Sequence, residues 1–293
     1  MPQLAFPLRF GIQIPQQNTT WPEILALAQE VDDLGYETAW VFDHFLPIFS
    51  DPTGPCLEGW TALSALAMAT KRVRIGTMVT GNTYRHPAVL AKMATTVDII
   101  SGGRLILGVG AGWFELEHNQ YGIPFPTVGT RLRRLDEALT VIKLLWTEER
   151  ANFSGKHFNL RDASFNPKPL QRPHPPILVG ATGEEVALAI VARHAQMWNS
   201  FGTPEVFRHK IARLEQHCAT IGRDPATIEK SVLISGPFSA NDARRQVEEY
   251  VAAGVTHIIF SVTPKDREWV RRFAKEIIPA IRQESAVRYE ING

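Results

Sequence analysis

Residues 74–110 read RIGTMVTGNTYRHPAVLAKMATTVDIISGGRLILGVG, which contains a strand, a helix and a second strand in one stretch. Its two ends, RIGTMVT (74–80) and RLILGVG (104–110), are short β-branched and apolar runs typical of buried strands. Between them, over residues 87–101, apolar side chains recur at helical spacing. A strand, a covering helix and a second strand form a βαβ unit, which predicts a parallel sheet. The apolar face of the helix is formed by Leu90, Met93, Ala94, Val97 and Ile100.

The same alternation continues on both sides of this stretch. Thr20 and Glu23 have the spacing of a capping box, in which each side chain satisfies the backbone N–H of the other, and they predict the start of the first helix. Nearly every other predicted strand is also followed by a segment of helical period. These strands are 10–15, 38–43, 176–181, 196–199, 231–236 and 256–262, and the helices are 20–34, 58–70, about 132–148, 183–194, 204–221, 242–253 and 266–283.

Eight strands, nearly all followed by a helix, predict a (β/α)8 TIM barrel, for which about 250 residues are typical. An open doubly wound sheet is the alternative, but it rarely needs eight parallel strands. Residues 149–175 interrupt the rhythm: ANFSGKHFNL (151–160) predicts a small hairpin or extended excursion, and NPKPLQRPHPP (166–176) is a stiff connector. We interpret 149–175 as an insertion between the fourth helix and the fifth strand of one domain that spans residues 1–293.

Composition excludes several classes of partner. Lys and Arg number 31 against 30 Asp and Glu, a net charge of +1 without basic runs, which disfavours nucleic-acid binding. No apolar stretch approaches the roughly 20 residues of a membrane span. Two cysteines, Cys56 and Cys218, indicate a reduced compartment and give no metal-binding spacing. We therefore expect a cytoplasmic protein without a metal, whose partner is a small-molecule substrate.

In such barrels the catalytic groups lie in the loops that follow the strands. Asp43 and His44, in WVFDHF (40–45), are two ionisable residues at the end of the second strand, where a barrel core would not accept them. A histidine there can exchange a proton near neutral pH, and an adjacent carboxylate can fix its tautomer or bind a ligand hydroxyl. Alternatively, Asp43 caps the following loop and His44 is a packed or solvated rim residue.

Three other strand ends carry polar or glycine-rich segments. Thr80 and Asn82 follow the third strand, where small polar residues let a flat ring approach the backbone, although a plain turn is the alternative. Residues 180–183, Gly-Ala-Thr-Gly, precede a helix and resemble an anion site, or only a capped helix start. Trp198 and Asn199 form either a ring wall or simple core.

The segment GVGAGW (108–113) suggests a dinucleotide fingerprint but fails it, because the final glycine would fall on Trp113. Its glycines are better explained by close backbone approach at the mouth. Glu115, Glu117 and His118 follow on a predicted helical turn, which we interpret as a solvated face and not as a metal site.

Taken in order, these segments resemble the bacterial luciferase-like monooxygenase superfamily, in particular its branch of oxidoreductases that use the deazaflavin coenzyme F420. The resemblance covers nearly the whole chain. It rests on FGIQIP, WVFDHF, the stretch from IGTMVTGNTYRHP to LGVGAGW, NPKPLQRPHPPILVGATGE and QMWN. It implies that the deazaflavin lies flat in the barrel mouth, with Asp43 and His44 beside the ring as catalytic and cofactor-binding residues.

The same resemblance implies roles for the other segments. Met78 and Val79 fall where many members have a bulge with a cis peptide bond behind the ring. The ring or side chain of the cofactor would be bonded by Thr80 and Asn82. Its phosphate would be held by Gly180, Ala181, Thr182 and Gly183, and the wall would include Trp198 and Asn199.

Two departures from the family pattern bear on chemistry. Enzymes of the superfamily that use flavin mononucleotide (FMN) more often carry Glu-His-His at the second strand, so Asp43-His44 favours F420. Trp113 occupies a position that some relatives give to a glutamate thought to act as an acid. No second acid is therefore identified, and Glu115 is the nearest candidate in sequence.

These observations predict an oxidoreductase that transfers a hydride between F420 and a small organic substrate, with His44 supplying or relaying a proton. One alternative is an FMN-dependent monooxygenase on the same barrel. Another is a non-catalytic protein that binds a flavin or deazaflavin as a carrier. Stretches 46–57, 113–130 and 149–170 predict an apolar substrate pocket, and the superfamily commonly forms homodimers.

Overall fold

In the computed structural model, which describes residues 6–283, nine of the eleven strands pair in parallel and close into a barrel. The order around the barrel is that of the chain, and pairing of the third strand with the fifth closes the ring. The strands are β1 (Arg9–Gln13), β2 (Thr38–Val41), β3 (Arg74–Thr77), β4 (Thr80–Gly81), β5 (Leu105–Gly110), β6 (Arg150–Ser154), β7 (Asn159–Ser164), β8 (Ile177–Gly180), β9 (Met197–Ser200), β10 (Glu229–Ser235) and β11 (His257–Ser261).

Within this set, β3 and β4 occupy one position of the barrel, separated by Met78 and Val79, and β6 pairs only with β7 in an antiparallel hairpin. The eight remaining positions match the eight predicted strands, so the predicted barrel is confirmed. None of the helices in residues 6–283 is long and apolar enough to cross a membrane.

Helices surround the barrel. They are α1 (Trp21–Asp33), α2 (Gly59–Ala69), α3 (Pro87–Ile100), α4 (Glu115–Tyr121), α5 (Val128–Thr147), α6 (Val186–His194), α7 (Pro204–Thr220), α8 (Ala240–Ala252) and α9 (Arg267–Arg272), the last followed by a π-helical turn at Phe273–Ile277. The predicted capping box of Thr20 and Glu23 is present at the start of α1.

Two helix predictions need correction. The helix predicted to begin at residue 183 begins at Val186, because the backbone N–H of Ala181 pairs with the carbonyl of Asn199 and residues 181–185 form a loop. The short helix α4 is a separate element in front of α5, which itself begins at Val128.

The core has two parts. The larger part lies between the sheet and the helices, and the smaller part fills the barrel interior. Side chains that point inward alternate along each strand with side chains that meet the helices, as parallel barrels require. The interior cluster consists of Trp40, Met78, Ile106, Leu178, Met197 and Ile259.

Polar side chains occupy the amino-terminal end of the barrel interior. The ring of His257 is fully buried and its Nε2 lies 2.9 Å from the hydroxyl of Thr38, which also accepts from Trp40 Nε1 at 2.8 Å. Burial lowers the pKa of His257 to about 3, so the ring is neutral at pH 7. This end is closed by side chains, which leaves the carboxyl-terminal mouth as the place for a ligand.

Candidate functional site

His44 lies at the mouth, just beyond the end of β2, and is held in one orientation. Its Nδ1 lies 2.8 Å from Oε1 of Glu117. The rings of Phe42, Trp113 and Phe114 meet it edge to face, with centroid distances of 5.3, 5.5 and 5.7 Å. Within residues 6–283 Nε2 has no hydrogen-bond partner, and it is not among the fully buried unpartnered atoms. His44 is thus largely buried and fixed through Nδ1, while Nε2 is unpartnered and not fully enclosed.

Glu117, on α4, is the buried partner of His44. Its carboxylate also accepts from the hydroxyl of Tyr84 and from the backbone N–H of Phe45 at 2.9 Å. Burial alone would raise the pKa of Glu117, but these hydrogen bonds and the neighbouring His44 outweigh it and hold the pKa below its usual value. Glu117 is therefore ionised at neutral pH and directs the proton of a neutral His44 ring onto Nδ1.

The sequence-based interpretation of this helical turn was wrong. Glu117 and His118 are fully buried, whereas only Glu115 is exposed. His118 is bonded to the hydroxyl of Thr83 and to the carbonyl of Phe114. The buried carboxylate that contacts His44 is thus Glu117, whereas Glu115 is exposed. No local pattern marks Glu117, because its partners lie 73 and 33 residues away in the sequence.

Asp43 faces a different set of partners. Its carboxylate is fully buried and receives both guanidinium nitrogens of Arg85, at 2.5 and 3.0 Å. The hydroxyl of Thr80 donates to the same carboxylate, and Arg85 also binds Glu58 at 2.6 Å. Burial raises the pKa of Asp43, and Arg85 opposes that shift. The role of fixing the histidine tautomer, predicted for Asp43, belongs to Glu117, and Arg85 was missed.

Residues 78–82 lie at the carboxyl end of β3 and include the short strand β4. The peptide bond between Met78 and Val79 is cis, as predicted. The hydroxyl of Thr80 is already engaged by Asp43 and accepts from Trp60 Nε1 at 3.1 Å. Asn82 differs, because its side-chain Nδ2 is buried and has no partner within residues 6–283. A buried amide donor without a protein partner is rare in proteins and is available to a water molecule or a ligand acceptor.

The glycines of β5 allow the close backbone approach that the sequence predicted. A Cβ atom on Gly108 would lie 1.8 Å from the carbonyl oxygen of Thr77, and one on Gly110 would lie 2.8 Å from a methyl group of Val79. Val79 also contacts the position of Gly180, where a Cβ would lie 3.0 Å away. These three glycines make the room that the 78–79 bulge occupies.

The loop at 180–183 keeps part of the predicted anion site. The N–H of Ala181 donates to the carbonyl oxygen of Asn199 at 3.0 Å and is not available to a ligand. The N–H groups of Thr182 and Gly183 lie in an exposed loop and form no hydrogen bond within residues 6–283. Of the four residues predicted to bind an anion, Thr182 and Gly183 therefore keep a free backbone N–H. The hydroxyl of Thr182 is a further donor.

Trp198 and Asn199 divide between the two sides of the sheet. Trp198 is fully buried among the helices, 5.5 Å from Phe207, and its Nε1 donates to the carbonyl of Ala181. Its predicted alternative as simple core is therefore the right one. Asn199 donates to the hydroxyl of Ser231 at 3.1 Å. Residues 6–283 hold no cluster of three or more His, Cys, Asp or Glu side chains placed to bind a metal ion.

Comparison with known proteins adds names to this geometry. The chain is 32% identical over 211 residues to the F420-dependent glucose-6-phosphate dehydrogenase of Microbacterium testaceum, covering 71% of this chain and 61% of that protein. It is 29% identical over 273 residues to an uncharacterized protein of Mycobacterium tuberculosis, covering 86% and 93%. The chain spans between half and two thirds of the length of the curated dehydrogenases it matches.

Among solved structures, an F420-dependent secondary alcohol dehydrogenase in complex with an F420-acetone adduct has a TM-score of 0.85 at 21% identity. The match covers 94% of this chain and 99% of that one, and at this identity it shows a shared fold. The luciferase-like monooxygenase family matches residues 5–289. On that match and on the closed barrel, the chain belongs to the luciferase-like monooxygenase family.

Proposed function

We propose that the protein is an oxidoreductase that transfers a hydride between coenzyme F420 and a small organic substrate in the mouth of the barrel. The observation that carries this proposal is His44, held through Nδ1 by the buried carboxylate of Glu117 with Nε2 not fully enclosed. The names of the relatives support it, because several are F420-dependent dehydrogenases. The substrate of this chain is a separate question.

The residues at the mouth fit a deazaflavin. The unpartnered Nδ2 of Asn82 would donate to a polar atom of the ring, and the free N–H groups of Thr182 and Gly183 would donate to the phosphate of its tail. Asp43 and Thr80, which already bind Arg85 and each other, would form the rigid support beneath. When bound, the deazaflavin supplies or accepts the hydride, which is the chemistry that the protein cannot perform alone.

The protein moves the proton that accompanies the hydride. Reduction of a carbonyl group places a hydride on carbon and a proton on oxygen, and His44 Nε2 can deliver that proton. The imidazolium that precedes delivery is stabilised by the ionised Glu117, which is 2.8 Å from Nδ1. In the reverse direction the neutral ring accepts the proton of an alcohol at the same nitrogen. Both directions need Glu117 to remain charged.

Cofactor choice is tested by titration of the protein with F420 and, separately, with FMN, following quenching of tryptophan fluorescence. We expect saturable binding of F420 and at least about tenfold weaker binding of FMN, a difference of about 1.4 kcal/mol. Tighter binding of FMN would overturn the proposed cofactor.

The role of the pair is tested with His44→Ala and Glu117→Gln. Both variants should bind F420 with unchanged affinity but lose hydride transfer by about 100-fold or more, the usual contribution of general acid-base catalysis. Glu115→Gln is the matched control, since Glu115 lies exposed on the same helix. Full turnover in Glu117→Gln, or an equal loss in Glu115→Gln, would contradict the proposed pair.

A further inference from the structure

The segments that directly follow the barrel strands contain few cationic side chains. Among the described residues, Arg85 and Lys265 are the only lysine or arginine residues in them. Arg85 is occupied by Asp43 and Glu58, whereas Lys265 is exposed and forms no ion pair among the described residues. These segments are residues 14–20, 42–58, 82–86, 111–127, 181–185, 201–203, 236–239 and 262–266.

Two cations that reach this end from the surrounding helices are also engaged. Arg131 of α5 donates to the carbonyls of Gly112 and Pro126. Lys210 of α7 is buried and donates to the hydroxyl of Ser200 at 3.3 Å. Recognition of a phosphate dianion ordinarily uses arginine or lysine side chains in addition to backbone N–H groups. Arg85, Arg131 and Lys210 are therefore engaged within the protein, while Arg133 and Arg208 are exposed near the amino-terminal ends of α5 and α7.

Two of the segments that follow the strands carry exposed aromatic side chains. The side chain of Phe49 is 92% exposed and stacks on that of Trp113, which is 51% exposed, with a centroid distance of 5.6 Å and an interplanar angle of 18°. Trp113 in turn meets the ring of His44. Phe49 and Trp113, which we call the aromatic platform, thus form a continuous apolar surface that reaches the ring of His44.

The backbone at Phe49 supports a role in binding. Its φ angle is +57°, in the left-handed region that a bulky residue rarely adopts at a cost of about 1–3 kcal/mol. Burial of the ring could offset that cost in a loop that only covers the barrel. The ring of Phe49 is exposed, so burial does not offset it. Strain of this kind, together with an exposed aromatic ring, is typical of a ligand-binding loop.

We infer that the protein acts on an uncharged, flat apolar molecule with one carbonyl or hydroxyl group, which lies along the aromatic platform with that group at His44 Nε2. The inference rests on the proposed function for its redox step, and the substrate it names differs from the phosphorylated sugar that names some relatives. The ketone carbon gains the hydride from the reduced deazaflavin, the C=O double bond becomes a single bond, and the oxygen takes the proton from His44. The alcohol product is formed as the cofactor is oxidised.

The test is calorimetric titration of the protein, alone and loaded with oxidised F420, with 2-acetonaphthone and with glucose 6-phosphate. We expect the naphthyl ketone to bind at least 100-fold more tightly. Trp113→Ala and Phe49→Ala should each weaken ketone binding by about tenfold, the value of losing one aromatic stacking partner and its buried area. Met68→Ala, which removes a 74% exposed side chain from α2, is the matched control and should change nothing.

Equal or tighter binding of glucose 6-phosphate, or full ketone affinity in Trp113→Ala, would overturn the inference. Affinity for F420, measured on the same variants, should be unchanged. A protein that binds the ketone on the platform but does not bind F420 would refute the proposed function and leave the substrate class standing. A protein that binds F420 and turns over only phosphorylated substrates would refute the substrate class and leave the proposed function standing.

Discussion

Replacement of Arg85 by methionine tests the electrostatic support of the site. The substitution keeps the apolar stem and removes the guanidinium that contacts the fully buried carboxylate of Asp43. Two hydrogen bonds to Asp43 and one to Glu58 are lost, each involving a charged group and each contributing about 1.5–3 kcal/mol. Breaking a buried ion pair from one side typically costs about 3–5 kcal/mol, because the remaining charge stays buried. We expect a loss within that range.

The assay is equilibrium unfolding in urea at pH 7, supported by thermal melting, in which the loss corresponds to a fall of about 5–8 °C in Tm. The matched control is Arg150→Met. Arg150 pairs with Asp162 at 3.3 Å, but the two side chains are 58% and 71% exposed, so this variant should cost less than about 1 kcal/mol.

The pH dependence follows from Asp43. Without Arg85 the pKa of Asp43 should rise further, since burial already raises it. A carboxyl group whose folded pKa exceeds its unfolded value destabilises the protein as pH rises through the folded pKa. The deficit of Arg85→Met should therefore shrink between pH 7 and pH 5, and Asp43→Asn in the same chain should restore part of it. A deficit no larger than that of Arg150→Met, or none recovered by Asp43→Asn, would refute this reasoning.

Three further predictions concern other parts of the chain. Burial lowers the pKa of His257 to about 3. The free energy of unfolding should therefore fall by up to about 1.4 kcal/mol per pH unit as the pH is lowered from 6.5 to 3. Urea unfolding of His257→Gln should show a smaller fall over the same range. An unchanged slope would contradict this. Gly108→Ala should prevent folding or destabilise the protein by several kcal/mol in thermal melting, because its Cβ would lie 1.8 Å from a carbonyl oxygen. The control is Gly129→Ala at the start of α5, which should be neutral or stabilising by up to about 1 kcal/mol. Equal changes in stability for the two variants would show that Gly108 and the carbonyl of Thr77 are not in tight contact. Burial, with nearby carboxylates, raises the pKa of Cys56 to about 12, so iodoacetamide at pH 8 should alkylate it more than about 100-fold more slowly than a free cysteine. The denatured protein should be alkylated at the rate of a free cysteine. The same alkylation rate in the native protein would contradict this prediction.

The fold was predictable because its signals are local. Period-2 and period-3.6 patterns, the capping box at Thr20 and the punctuating glycines each depend on residues within one turn or one strand. All eight barrel strands were therefore placed to within a few residues. The start of α6 was missed because the loop before it is held by a neighbouring strand, through the carbonyl of Asn199, and not by its own residues.

The site was predictable only in outline. Asp43 and His44 were located because a strand end is a local feature and its place at the mouth follows from the barrel. The residues that control them, Arg85 and Glu117, stand 42 and 73 positions away and look like ordinary surface charges. Burial decides what such a charge does, and burial is a property of the assembled barrel.

The sequence by itself determined the order of strands and helices, the mouth of the barrel and the histidine that stands there, because hydrophobic period and turn residues act over short distances. Only the tertiary structure decided the partners of that histidine, since α4 brings Glu117 to His44 and leaves Asp43 to Arg85. It also decided that Trp198 belongs to the core while Trp113 and Phe49 remain exposed. Contacts between distant segments form when the barrel closes, and no local pattern encodes them.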